Sequence, residues 1–216
     1  MARDDERLDR SRQEPIVGGL PAVPGIGVAM RLTPGLGVHL RGLADEVLVH
    51  DFPGATLTRA QRELLATAVS AANDCFFCMD SHGAFATALL ETTGATELIP
   101  LVDGIKAGSS DGLEDKMQAL LLVARTVRRN PLDLTAADVA SATAAGATDG
   151  DVQLAVLIAS AFSMYNRLVD GFRAMTAPDA AAYRARAAEI AERGYSAPSQ
   201  LPPAPASAPA PEPAAR

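Results

Sequence analysis

The sequence has little of what extracellular or membrane-spanning proteins are built from. Only two of its 216 residues are cysteine, and they stand three positions apart as Cys75 and Cys78. A secreted scaffold stapled by several long-range disulfides is therefore excluded. A bridge closing so short a loop also removes little entropy from the unfolded chain and would be a poor structural staple. Long apolar runs are scarce as well. The longest, Leu154 to Met164, is broken by Ser160 and Ser163, and it falls short of the ~20 residues needed to cross a bilayer. Met1 to Glu14 is charged and lacks the apolar stretch of a secretory signal. A cytoplasmic protein with no membrane partner is the expectation. Positive charge is in deficit too, with 19 Lys and Arg against 26 Asp and Glu and a formal net charge of -7. Phosphate backbones bind positive surfaces, so no nucleic-acid partner is expected.

Strand signals are missing: β-branched residues are scattered and two-residue alternation is absent. Helical signals recur instead. Leu36, Leu40, Leu43 and Val47 follow helical spacing over 36–49. Thr58 caps a second helix through Glu63 and Val69, and Asn73 or Asp74 caps a third that runs to about Thr92 and stops at Gly94. A short helix over 97–105 and a long one over 113–129, stopped by Pro131, follow. Helices over 135–145, 149–172 and 179–193 complete the set. The fold class is all-α. Residues 36–195 read as a single multi-helix domain, preceded by an irregular Gly/Pro-rich arm over 15–35. The arm's Ile16, Val17, Leu20 and Val23 call for burial against the domain or a neighbouring subunit. Residues 1–14 and the Pro/Ala-rich tail 196–216 have compositions that cannot form a packed core, and both read as disordered.

Two thiols this close suggest redox or metal chemistry. If Asn73 is the cap, Cys75 lies in the first turn of the third helix and Cys78 one turn on, with Cα atoms about 5 Å apart, within disulfide range. Backbone N–H groups at a helix start favour a Cys75 thiolate, while the Asp74 carboxylate opposes it. His82 shares a helix face with both thiols and leans back toward Cys78, so it is better placed as the base for Cys78. A base needs an orienting group, commonly a buried carboxylate. Glu63, set among Leu64 and Leu65 on the previous helix, is the candidate. Zinc would need about four ligands, and His39 and His50 lie far off in sequence, so no metal is expected. Asn166, Arg167 and Asp170 form a polar patch on an apolar helix, read as a buried salt bridge to another helix or subunit, with lining the pocket as the alternative. Phe76, Phe77 and Phe85 read as an apolar wall near the sulfurs, suited to an organic substrate.

Glu63, eleven residues, then Cys75-x-x-Cys78-x-x-x-His82 resembles the alkyl hydroperoxidase D-like branch of the carboxymuconolactone decarboxylase family. So do the leading Leu57-Thr58-x-x-x-Arg62-Glu63-Leu64, the flanking Ser70-x-x-Asn73-x-Cys75-x-Phe77-Cys78 and the later run Ala161 to Leu168. The resemblance covers roughly Leu36 to Arg193. It implies an all-helical homo-oligomer, trimeric or hexameric, that reduces hydroperoxides. It further implies that Glu63 and His82 relay a proton from Cys78, which attacks the peroxide, and that Cys75 resolves the resulting sulfenic acid to a disulfide. No bound cofactor is implied beyond that redox-active disulfide. The implied partners are a small hydroperoxide and an external dithiol, free or on a lipoylated or thioredoxin-like protein. Phe77 departs from the His or Tyr often found there in relatives, so a relay member at that position is missing. Two other readings stand beside this one: a lactone decarboxylase, and a redox-sensing interaction protein without turnover.

Overall fold

Four helices begin where an extended threonine accepts, through its hydroxyl, the backbone N–H three residues on: Thr33, Thr58, Thr135 and Thr148. In the last three the third helical residue bonds back to the threonine, completing a capping box. The computed structural model describes residues 17–196 apart from Ala22 and residues 175–179, and the described residues contain no strand. The expected helices are present as α2 (Pro34–Leu48), α3 (Arg59–Ala72), α4 (Phe76–Thr93), α5 (Ile99–Lys106), α6 (Asp115–Arg129), α7 (Ala136–Ala144), α8 (Asp149–Gly171) and α9 (Ala180–Arg193). A single 3-10 turn, Thr96–Leu98, leads into α5, and another, Pro131–Asp133, follows α6.

The arm is less irregular than its glycines and prolines suggest. It contains a further helix, α1 (Gly27–Leu32), and α2 already starts at Pro34. Pro34 is no breaker there, because the first helical N–H has no partner within the helix in any case. Leu20 and Val23 are partly buried as expected, whereas Val17 is exposed; Ile16 lies outside the described residues. So do residues 1–14 and 197–216. Ser196, assigned to the tail, is part of the folded region: its N–H donates to Asp45 Oδ2 at 2.8 Å.

Helix α3 forms the centre. It packs on α4, α6 and α8, and ten of its fourteen residues are buried, including Leu64, Leu65, Val69 and the charged Glu63. Burying one such aliphatic side chain contributes about 1.5–3 kcal/mol, so this Ala- and Leu-rich helix anchors its neighbours. Helix α8 pairs with α6 and α3. It is long and apolar enough to cross a membrane by composition alone, but Leu154, Ala155, Ile158 and Phe162 on it fill the core of this domain. Asp151 fixes its start against the chain entering α3, accepting the N–H groups of Thr56 (2.6 Å) and Leu57 (3.0 Å) and the Thr56 hydroxyl (2.7 Å). Helix α9 returns across α4, and this brings the end of the folded chain to the site.

Candidate active site

The junction of α3 and α4 places the thiols. Asp74 takes the left-handed conformation with φ 57. Its N–H donates to Ala71 O, and the Cys75 N–H donates to Ser70 O, both at 3.0 Å. This pair of bonds is a Schellman ending, made here without glycine. Cys75 therefore both terminates α3 and stands as the N-cap of α4, which starts at Phe76. The expectation that Cys75 lies in the first helical turn under an Asn73 or Asp74 cap is corrected. The Asn73 side chain is engaged elsewhere: its amide donates to Asn166 Oδ1 (2.8 Å), and its carbonyl accepts from Arg128 Nε (2.6 Å). Arg128 also donates to Ala72 O, and Asn166 to Ser70 Oγ (3.1 Å). The polar patch on α8 is split. Asn166 is its buried member and holds this turn, while Arg167 is exposed and bonds its own helix at Ser163 O.

Both thiols are free and buried, Cys75 at 1% exposure and Cys78 at 2%. They share an apolar cluster with Val28, Val169 and Ala174, flanked by Leu20, Val23, Ile26, Phe77 and Phe172. The arm thus covers the sulfurs. Contact is closest at Gly25, whose φ is 57 and where a Cβ would run into the Phe77 ring. The competition at Cys75 resolves toward the thiol. Its hydrogen bond to Cys78, then burial, then the charges of Cys78 and Asp170 push it far above the ordinary thiol range.

One turn beyond Cys78, His82 meets the carboxylate expected of it. Its Nδ1 lies 2.7 Å from Oε2 of Glu63, a residue with no exposed surface. A carboxylate partner places the proton on Nδ1 and leaves Nε2 as the basic nitrogen. Among the described residues, no hydrogen bond joins His82 to either thiol. Phe162 and Phe85 meet the imidazole edge-on, with centroids 4.5 and 5.2 Å away. Phe85 thus walls the imidazole, and of the three phenylalanines expected at the sulfurs Phe77 is the one that packs in their cluster. His39 and His50 are exposed, and His50, just past the end of α2, pairs with Glu46 on that helix. Among the described residues, no three His, Cys, Asp or Glu side chains converge as a metal-binding set.

The residue that the sequence did not announce is Tyr195. Its hydroxyl donates to Glu63 Oε1 at 2.6 Å and lies 3.3 Å from His82 Nδ1. Burial first, then the Glu63 charge and hydrogen bond, push the phenol well above its ordinary range, so it stays protonated and donates. The only sequence signal was a tyrosine directly after the helix-ending Gly194.

Residues 42–97, from the second half of α2 through α4, match the carboxymuconolactone decarboxylase family. That segment, about a quarter of the chain, is similar to the family. No curated protein matches the chain by sequence. Two solved structures share its fold. One is an uncharacterized peroxidase-related protein from Ralstonia eutropha JMP134, described as an alkylhydroperoxidase AhpD core, with 21% identity, TM-score 0.64, and coverage of 87% of this chain and 88% of the other. Another is an uncharacterized peroxidase-related protein from Silicibacter sp. TM1040, with 18% identity, TM-score 0.63, and coverage of 85% and 86%. At these identities the likeness is one of fold, and the all-α architecture expected from the sequence is the one observed.

Proposed function

We propose that this protein reduces hydroperoxides, organic ones in particular, through the Cys75–Cys78 pair. One observation carries the reading: His82, one turn after Cys78, sets its Nδ1 2.7 Å from Oε2 of the fully buried Glu63. That arrangement makes Nε2 a base directed by a carboxylate, the logic by which weak nucleophiles are activated. His82 accepts the Cys78 proton, directly or through one water. The Cys78 thiolate attacks the terminal peroxide oxygen, the O–O bond breaks, and the alkoxide takes the proton from His82 to leave as the alcohol. Cys78 is now a sulfenic acid. The Cys75 thiol displaces hydroxide from it, water departs, and a disulfide forms. An external dithiol, small or carried by a lipoylated or thioredoxin-like protein, returns both thiols and leaves as its own disulfide. The apolar cluster around the sulfurs favours an alkyl group over hydrogen peroxide. A cytoplasmic, homo-oligomeric enzyme of trimeric or hexameric form belongs to the same proposal.

A second reading is favoured by the burial of both sulfurs under the arm: a redox sensor whose disulfide forms without cycling. Turnover separates the two. With cumene hydroperoxide and dihydrolipoamide, the wild type is expected to consume many equivalents of peroxide and Cys78→Ser none above background. Equal turnover by the two proteins removes Cys78 from the chemistry. A single oxidation event that no dithiol reverses favours the sensor. A lactone decarboxylase would work with both thiols alkylated.

A further inference from the structure

The Glu63 carboxylate is fully buried on α3, where its rotation must be fixed by the groups that it bonds. Two donors do so, one on each oxygen: His82 Nδ1 on Oε2 at 2.7 Å and the Tyr195 hydroxyl on Oε1 at 2.6 Å. Because the phenol proton points to Oε1, a lone pair of the same oxygen faces His82 Nδ1 at 3.3 Å. The imidazole N–H is thereby met by two acceptors and by no competing donor. We propose that Tyr195 is a positioning residue of the relay, its phenol locking the Glu63 carboxylate so that the His82 proton stays on Nδ1. The proposal rests on the relay role given to His82 above. It adds a third member from outside residues 42–97, the segment matched to the family.

The rest of the fold holds this phenol in place. The Tyr195 N–H donates to Asp45 Oδ1 at 2.7 Å and the Ser196 N–H to Asp45 Oδ2 at 2.8 Å. Asp45 is itself buried on α2, so its charge is matched by a turn of the C-terminal segment. Gly194 permits that turn with φ 76, its Cα lying where a side chain would meet Asp45 Oδ1. Arg59, on α3 one turn before Glu63, donates to Ile190 O and Ala191 O at 2.9 and 2.8 Å. The helix that carries Glu63 therefore also grips the end of α9, from which Tyr195 projects. A purely apolar plug would need the ring but not the hydroxyl.

Tyr195→Phe removes the hydroxyl and keeps the ring. On reduced full-length chains, the nitrogen NMR shifts of His82, assigned against His82→Gln, report the tautomer. Steady-state assays report kcat and KM for cumene hydroperoxide. The wild type is expected to show a single Nδ1-protonated imidazole. The variant is expected to show averaged nitrogen shifts and a kcat about 10–100-fold lower at unchanged KM, the scale on which an outer hydrogen-bond partner acts. Wild-type nitrogen shifts in the variant overturn the proposal whatever happens to turnover, and so do altered shifts with wild-type kcat. If the wild type turns over no peroxide, the proposed function falls instead, and the nitrogen shifts alone decide whether Tyr195 positions His82.

Discussion

Two successive turns of α4 hold the two halves of the site in opposite ways. The first turn and the N-cap before it carry the thiols into an apolar cluster closed by the N-terminal arm. The second carries His82 into a network of hydrogen bonds closed by the C-terminal turn at Tyr195. Apolar contacts are non-directional and can part and reform, whereas a buried carboxylate with fixed donors loses much if any partner leaves. The arrangement suits a division of labour. In the proposed reaction the relay keeps one geometry, while the sulfurs are reached by a peroxide and then by a reductant. Rigid polar closure at the base and loose apolar closure over the nucleophile follow from those needs.

The largest effect should come from breaking the polar half. Glu63→Gln keeps the shape of the side chain but replaces one acceptor oxygen with a donor amide. That amide cannot accept from both His82 and Tyr195, so the imidazole must change tautomer or lose its bond. Turnover is expected to fall about 100- to 10,000-fold, the range that general-base assistance supplies, and alkylation of Cys78, which needs the same thiolate, is expected to slow with it. Coupled peroxide assays and thiol mass spectrometry on the same preparation check both. A Glu63→Gln protein with full turnover would leave the contrast between the two halves without chemical meaning.

The sequence made the helices and half of the site legible, and the reasons are local. Thr58, Thr135 and Thr148 start helices by bonding residues three positions on, and Gly94 stops one, so a short window contains the signal. Cys78 and His82 lie on one helix, where spacing alone fixes a shared face. Glu63 was accessible because a lone carboxylate in an aliphatic stretch calls for a partner. Tyr195 was not, since its bond to Glu63 spans 132 positions and nothing near it requires a phenol. The place of Cys75 was misread for a similar reason. Asn73 looks like a cap by type, but Asn166 and Arg128, both distant in sequence, already occupy its side chain. The cover over the thiols was hidden by the glycines and prolines of the arm, which signal irregularity without saying what the chain lies against.

A smaller effect is expected at Asp151, which supports the polar half indirectly by clamping Thr56 and Leu57 at the entry to α3. Burial alone would raise its pKa, but the hydrogen bonds from Thr56, Thr148 and Leu57 outweigh it and leave the carboxyl below its ordinary value. A carboxyl depressed in the folded state contributes stability that is fully present above the unfolded value, about 3.9. That contribution is lost as pH falls through the lower folded value. Asp151→Asn is expected to lower stability by about 1–3 kcal/mol at pH 7 through its unsatisfied donors. The gap between wild type and variant should then narrow below about pH 4. Urea melts at pH 7 and pH 3 measure it. A gap that is constant across this range would mean that the carboxylate charge is not what holds α3 to α8.

The smallest effect, and the sharpest test of the apolar half, is at Gly25. Two demands meet there: a left-handed φ of 57 and a backbone pressed on the Phe77 ring. An alanine Cβ violates both. The left-handed conformation costs an L-residue about 1–2 kcal/mol, and the ring contact adds to it. The strain can be relieved by lifting the arm, because few hydrogen bonds tie residues 17–26 to the domain and partly buried Leu20, Val23 and Ile26 make most of the contact. If the arm is the cover, that strain appears as a larger open fraction, and about 1.4 kcal/mol corresponds to tenfold. Gly25→Ala is therefore expected to speed iodoacetamide alkylation of Cys78 about tenfold, with the His82 nitrogen shifts unmoved and the melting midpoint within a few degrees. Unchanged alkylation would show that the sulfurs open by another route, such as the end of α8 at Val169 and Phe172. Faster alkylation accompanied by disturbed His82 signals would show that the two turns of α4 are closed by one cooperative unit and not by two separate ones.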